Sequence, residues 1–529
     1  MSSPWWQSAV IYQIYPRSFQ DGNGDGVGDL SGIVERIPYL VNLGVDAIWL
    51  SPVFRSPMAD FGYDVSDYTD IDPLFGTLVD FDRLLDKAHS SGLKVILDFV
   101  PNHTSDQHAW FLNSRSSRRS AKRDWYIWCD PAPNGGPPNN WLSEFGGSAW
   151  QFDRATGQYY YHAFLSAQPD LNWRNPEVRA AVYDAMRFWF ERGVDGFRLD
   201  VIWHLIKDAE LRNNPINPDF KTGDPPHQAV IPLYTADRPE VHDIIAEIRA
   251  VADNYPDRLL IGEIYLPLER LMAYYGKDVS GLHLPFNFSL ISTSWNAAAL
   301  AKLIADYESA LPPHGWPNWV LGNHDQPRLA SRAGQAKARL AAMLLLTLRG
   351  TPTVYYGDEI GMEQAQIPPD RIRDPVERNV PGKGLGRDGC RTPMQWDDSP
   401  HAGFTSAEPW LPLQETWREN NVTAALSDPN SLLNLHRALI RLRHCHPVLV
   451  TGGYRSIVAE EGILLFIRTL DNTSMLIALN FDDQPAVVMP KADWPAGAIR
   501  LSSYLDRHDE RMADGINLRP LEGVVVEFQ

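Results

Sequence analysis

The opening hundred residues alternate short apolar runs with amphipathic stretches of helical period. Residues 9–15 form a β-rich run. Residues 31–43 place Ile33, Ile37, Leu40 and Val41 on one face, and Gly44 stops the pattern, so a helix is predicted there. A strand over 46–50 follows. Phe81, Leu84, Leu85 and Ala88 mark a second helix, ended by Gly92. LKVILDFV (93–100) is a nearly continuous apolar run, of the kind that parallel sheets bury on both faces. Repeated strand–helix units predict a parallel sheet or barrel.

The alternation breaks after Val100. Residues 104–173 are rich in Trp, Tyr, Asn, Gly and Pro and read as an inserted domain B after the third strand, leaving 1–103 as the first part of the barrel. Asn175-Pro176 is a helix start, a cap followed by Pro at the first helical position, and that helix runs to Gly193. Further strands are expected over 195–200, 259–263, 281–285, 318–321 and 351–356. About eight strands in all give the count of a (β/α)8 TIM barrel, whose second part spans 174–451. Within it, 363–430 is a long polar loop subdomain after strand eight. Loops of that length in compact domains are usually functional. A helix over 429–443 closes the barrel. From 452 to 529 the pattern is all β: GILLFIRTL, SMLIALNF, AVVMP, AIRLSSY and GVVVEF predict a small C-terminal antiparallel β-sandwich.

Composition narrows the function classes. A net charge of -18 gives no general attraction to nucleic acid or anionic membranes and suits a neutral small-molecule partner. Three cysteines, Cys129, Cys390 and Cys445, imply no disulfide framework. MSSPWWQSAV has neither a basic nor an apolar leader region, and no run of about 18 apolar residues exists, so a cytoplasmic protein, monomeric or weakly homo-oligomeric, is expected.

Three acids carry the chemistry. Asp200 ends VDGFRLDV, Glu263 ends the strand in LLIGEIY, and Asp325 follows WVLGNH. Carboxylates at the carboxyl ends of three barrel strands can converge on one point. A pair of carboxyls is what glycosidic cleavage requires, one to attack and one to donate a proton. Any one of them alone would read as a cap or turn residue; Arg198, Asn323 and His324 beside them favour a site.

The motifs DFVPNH (98–103), QPDLNW (168–173), GFRLDV (196–201), GE (262–263) and NHD (323–325), with the opening WWQSAVIYQIYPRSFQDGNGDGVGDL, occur in the order of the α-amylase superfamily, glycoside hydrolase family 13. Within it the chain resembles the α-glucosidase and oligo-1,6-glucosidase group. The resemblance implies that Asp200 is the nucleophile, Glu263 the general acid/base and Asp325 the third acid, which stabilises the transition state. It implies that Arg198 keeps Asp200 ionised and that His103 and His324 bind sugar. Asp60 and Tyr63 would hold the terminal glucose, with Arg387 closing the pocket by pairing with Asp60. Phe145 and Phe164 match aromatic pocket walls, or are core packing. Val201 is the residue type that accompanies α-1,6 activity in this group, although the following Ile202-Trp203-His204 departs from its pattern.

Asp21, Asn23, Asp25, Val27 and Asp29 place oxygen donors at every second position, as suits Ca²⁺ or Mg²⁺. A Gly/Asp turn is the alternative. No EF-hand is formed, because Gly32 stands where Glu would close such a loop. The resembling group carries a structural metal here, and catalysis itself needs none. The expected activity is exo-acting, retaining hydrolysis of short α-glucosides, α-1,6 or α-1,4. Transglucosylation or sucrose isomerisation through the same intermediate is the alternative.

Overall fold

The computed structural model describes residues 3–457, 462–489, 494–512 and 515–528. Eight parallel strands form its centre: β1 Ile11–Ile14, β2 Ala47–Leu50, β3 Lys94–Phe99, β4 Gly196–Leu199, β5 Leu259–Gly262, β6 Leu284–Pro285, β7 Asn318–Val320 and β8 Thr351–Tyr355. Neighbours pair in the order β6-β5-β4-β3-β2-β1-β8-β7, a near-closed (β/α)8 barrel. Strand β1 lies between β2 and β8, with Ile11 level with both Ala47 and Thr353.

The period of two sorts each strand's side chains. Ile11, Ala47, Trp49, Ile96, Leu259, Ile261 and Val320 meet inside the barrel. Tyr12, Ile48, Leu50, Val95, Leu97, Phe197 and Leu260 face outward into the layer shared with the helices. The same parity turns Gln13, Asp98 and Arg198 inward, toward the barrel's carboxyl end. Asp98 and Arg198 are level with each other across β3 and β4.

Helix α1 (Leu30–Leu43) begins where the Asp29 side chain accepts from the Gly32 amide. It stops at Gly44, whose φ of 95° is left-handed, the conformation glycine adopts most cheaply. Helix α2 (Leu78–Ser90) opens with a reciprocal capping box between Thr77 and Asp80. Helix α3 (Pro176–Arg192) starts at the expected Asn175 cap and ends at left-handed Gly193. Helix α4 (Leu432–Cys445), capped by Ser431, starts three residues later than the apolar pattern suggested.

Between β3 and α3 the chain builds a three-stranded antiparallel sheet from Trp128–Cys129, Trp150–Asp153 and Gln158–Tyr161. After α4, a six-stranded antiparallel sheet and a two-stranded one (Ala486–Val488 with Ile516–Leu518) share one core that includes Leu465, Leu476, Val488, Ile516 and Val526. Pro490, the end of the expected AVVMP strand, lies outside the described residues. All three cysteines are free. Among the described residues no helix is long and apolar enough to cross a membrane.

The first loop is stitched to the segment that follows β8. The Asp21 amide donates to Phe404 O, and the Trp410 amide donates to Gly26 O (both 3.0 Å). A Cβ on Gly26 would stand 2.2 Å from Glu408 O, so only glycine fits there.

Candidate active site

Two acids leave the barrel on fixed backbone. The Asp200 amide donates to Phe99 O (2.9 Å) and the Glu263 amide to Leu199 O (3.0 Å), so both extend the pattern of the strand ladder. Arg198, fully buried, gathers the carboxyls. Its Nη1 lies 2.8 Å from Asp98 Oδ1 and 2.5 Å from Asp200 Oδ1, and its Nη2 lies 2.8 Å from Glu263 Oε2. Burial pushes the Asp200 pKa up and Arg198 pulls it back, while Glu263 and Asp98 push it up again. Burial likewise raises Asp98, to about 6. Three carboxyls facing one guanidinium in a dry site favour keeping a proton in the cluster.

Val201 follows with φ 36° and ψ 42°, a left-handed backbone that a β-branched residue adopts only under strain. That turn aims the Val201 amide at Glu263 Oε2, 3.0 Å away, and so ties the two acids together.

Asp325 faces a different set of partners. Arg391 lies 2.7 Å from its carboxylate, and Arg387 and His324 lie 3.2 Å from it. Burial alone would raise its pKa, but the surrounding groups outweigh burial and hold it well below the usual range. Arg387 also bonds Asp60 and Asp374 (both 2.8 Å) and stacks its guanidinium 5.0 Å from the Phe145 ring centre.

These groups border one cavity of about 780 Å³. Of the eleven catalytic and sugar-binding residues expected from the sequence, nine line it: Asp60, Tyr63, His103, Phe145, Phe164, Asp200, Glu263, Asp325 and Arg387. Arg198 and His324 stand behind that lining. His324 has no exposed surface and lies beside Tyr63 with the two rings nearly parallel, centres 5.4 Å apart and its Nε2 edge facing the Tyr63 hydroxyl. His103 is held by the Tyr63 carbonyl (3.1 Å), and burial lowers its pKa to about 4.

Sequence reading passed over two parts of the site. Asn214, His227, Ile231 and Thr235, from the segment between β4 and the helix Val241–Ala252, build the outer wall. Its length and its Pro and Asn content were the available signal. Asp374 and Arg391 hold Arg387 and Asp325 from the long segment after β8, and only the three-dimensional path reveals them.

The Asp21–Asp29 loop lies away from this cavity. It folds as successive turns: Asp21 Oδ1 accepts from the Asn23 and Gly24 amides, Asn23 Oδ1 from Asp25, and Asp25 Oδ1 from Val27. Asp21 Oδ2 takes the Thr405 hydroxyl at 2.5 Å. Asp29 accepts from Gly22 and Gly32, yet burial outweighs these bonds and raises its pKa. Among the described residues no three His, Cys, Asp or Glu side chains gather as a metal cluster. A cation here would therefore also need the Asn23 amide oxygen and the Val27 carbonyl.

Residues 13–452 match the family described as Alpha amylase, catalytic domain. The chain belongs to the alpha-amylase family. It is 44% identical to a probable alpha-glucosidase of Rhizobium meliloti, over 91% of this chain and 90% of the relative. It is 40% identical to an oligo-1,6-glucosidase of Parageobacillus thermoglucosidasius over the full length of both. Family members of known structure superpose closely. An alpha-glucosyl transfer enzyme gives a TM-score of 0.93 at 42% identity, covering all of both chains. The trehalulose synthase of Pseudomonas mesoacidophila MX-45 gives 0.91 at 34%, again covering both chains completely.

Proposed function

We propose that this protein is an exo-acting, retaining α-glucosidase that releases terminal glucose from short α-glucosides. The observation that carries the reading is the pairing of Asp200 and Glu263 on one buried guanidinium, beside a cavity where Arg387 and Asp60 form an ion pair. In this reading the Asp200 carboxylate attacks the anomeric carbon as Glu263 delivers its proton to the departing glycosidic oxygen. Glu263 then takes a proton from the water that hydrolyses the glucosyl ester. The close grouping on Arg198 favours direct attack over the wider gap, roughly 6.5–9.5 Å, of an inverting pair. Asp325, held ionised by Arg387 and Arg391, would stabilise the positive charge that develops on the sugar ring. The Asp60–Arg387 pair would close the pocket around one glucose, with Phe145, Phe164 and His103 as walls. Val201 beside the nucleophile would bias the linkage toward α-1,6.

Proton NMR of a reaction on p-nitrophenyl α-D-glucoside tests this: α-glucose should appear first. First appearance of β-glucose would overturn retention. The solved relatives named as a transfer enzyme and a trehalulose synthase favour a second reading, in which a sugar rather than water accepts the glucosyl group. Product analysis on sucrose and maltose separates the two.

The Asp21–Asp29 loop would hold a structural Ca²⁺ or Mg²⁺ through Asp21, Asn23, Asp25, the Val27 carbonyl and Asp29. Bound there, the ion would draw oxygens that now accept from the loop's own amides onto one centre and pin the loop. Three unpaired thiols suit a cytoplasmic, reducing compartment, which cell fractionation would test. A monomer or weak homo-oligomer is the proposed state, to be checked by sedimentation.

A further inference from the structure

Gln13 is the polar one of the two inward residues of β1, with no exposed surface, and it carries no role among the residues assigned above. Its Nε2 lies 2.8 Å from His324 Nδ1 and 3.2 Å from Ser51 Oγ. On the other side of the ring, His324 Nε2 lies 2.5 Å from the Tyr63 hydroxyl and 3.2 Å from Asp325 Oδ2. The Tyr63 hydroxyl donates in turn to Asp98 Oδ2 (3.1 Å). Asp98 Oδ1 faces Arg198, the guanidinium that also holds Asp200.

We propose that Gln13 is a positioning residue for the hydrolysis proposed above, on which this inference rests. By donating to Nδ1 it keeps the His324 proton on Nε2, and so sets the direction of a hydrogen-bond chain from β1 through His324 and Tyr63 to Asp98.

The direction follows from what each atom can do. The Tyr63 oxygen, its proton given to Asp98, is an acceptor, and Asp325 is a carboxylate; both require a proton on Nε2. Burial disfavours the doubly protonated ring and holds the His324 pKa well below its ordinary value. A neutral ring protonated on Nε2 has a bare Nδ1, which needs a donor, and the Gln13 amide is the donor in reach. The opposite amide rotation is worse. It would place the Gln13 oxygen against a protonated Nδ1 and turn the Nε2 lone pair toward the Asp325 carboxylate. It would also leave the amide nitrogen in the place now held by Gln13 Oε1, which has no partner, and so bury two unpaired donors in exchange for one unpaired acceptor.

The consequence falls on two groups that line the cavity. With Nε2–H facing them, Asp325 keeps its orientation, and Tyr63 keeps its hydroxyl on Asp98 rather than turned into the cavity. Asp98 is then shared between Tyr63, Trp49 and Arg198. Reversing the tautomer would set a lone pair against Asp325 and draw the Tyr63 proton away from Asp98.

The test is nitrogen NMR of ¹⁵N-histidine-labelled full-length protein, with kinetics of Gln13→Met and Gln13→Glu. Wild type should show His324 with a bare, pyridine-type Nδ1 and a protonated Nε2. Gln13→Met should fold and lose at least about tenfold in kcat with KM little changed, because positioning rather than binding is damaged. Gln13→Glu, an acceptor at the same place, should move a proton onto Nδ1. A protonated Nδ1 in wild type overturns the proposal, and this reading stands even if the variants do not fold. Unchanged kcat in a folded Gln13→Met protein overturns it as well. If wild type fails to hydrolyse any α-glucoside, the reaction assigned above is wrong, while the nitrogen spectrum still decides the tautomer.

Discussion

Arginines are buried at both ends of the barrel, and the two ends treat them in opposite ways. At the carboxyl end Arg198 meets three carboxylates, which outweigh burial and raise its pKa further. At the other end Arg443 and Arg468, also fully buried, meet backbone carbonyls. Arg443 donates to Leu348 O (2.9 Å) and Leu449 O (2.8 Å); Arg468 donates to Leu449 O (2.7 Å) and Gly452 O (2.8 Å). Burial lowers Arg443 to about 10 and Arg468 well below its usual value. Carbonyl dipoles can satisfy a guanidinium's hydrogen bonds without cancelling its charge. The lower pair therefore fastens chain segments, including the turn that joins α4 to the C-terminal sheet. The upper arginine organises groups that change protonation.

If that contrast is right, activity and stability should fail separately. The largest effect belongs to Asp200→Asn. An amide cannot form the glycosyl ester, so kcat should fall by at least about 10⁴-fold with the melting curve little changed. Near-normal turnover would dissolve the contrast. Glu263→Gln should be nearly as slow on natural glucosides. With a fluoride or dinitrophenolate leaving group, which needs no proton, it should accumulate a glucosyl adduct on Asp200, visible by mass spectrometry of the intact protein. No adduct would count against the retaining mechanism.

Arg468→Met probes the other end. It strips donors from several buried carbonyls and should cost about 3–5 kcal/mol in denaturant unfolding, with kcat on the surviving folded protein unchanged. A loss of kcat at unchanged stability would mean that the lower arginines reach the site. Chelation comes next. An ion present at a hundred times its Kd stabilises by about 2.7 kcal/mol, so EDTA should lower the Tm and added Ca²⁺ or Mg²⁺ restore it, with little change in kcat. An unmoved Tm would make the Asp21–Asp29 loop a turn and nothing more. The smallest effect is expected at Val201→Ala. One pocket contact discriminates by about 1–3 kcal/mol, and trimming Val to Ala removes only part of such a contact, so the isomaltose-to-maltose ratio of kcat/KM should drop by about tenfold or less. A constant ratio would free Val201 of any part in linkage.

The barrel was legible because its strands are apolar on both faces and its helices carry clear stops at Gly44 and Gly193. Strand ends were read up to three residues too long, most at the sixth strand, since flanking residues share the strands' composition. The three acids were legible from their places at strand ends. His324 was placed in the right neighbourhood, but its position behind Tyr63 depends on packing that no motif encodes. Gln13 was invisible for a related reason: a single polar residue in an apolar run looks like any strand position until its inward neighbours are known. Asp374 and Arg391 lie within a segment of irregular structure, where pattern says little about what is brought together.

The contact between the first loop and residues 404–410 has a consequence for how the protein is made. Asp21 and Thr405 are separated by 384 residues. At about 5–20 residues per second, a nascent chain would wait roughly 20–80 s between exposing the loop and supplying its hydroxyl partner. Strand β1 waits nearly as long for β8, so its outer edge stays open through most of translation. The charged loop just beyond β1 would discourage strand-to-strand association between neighbouring chains on the same message during that interval.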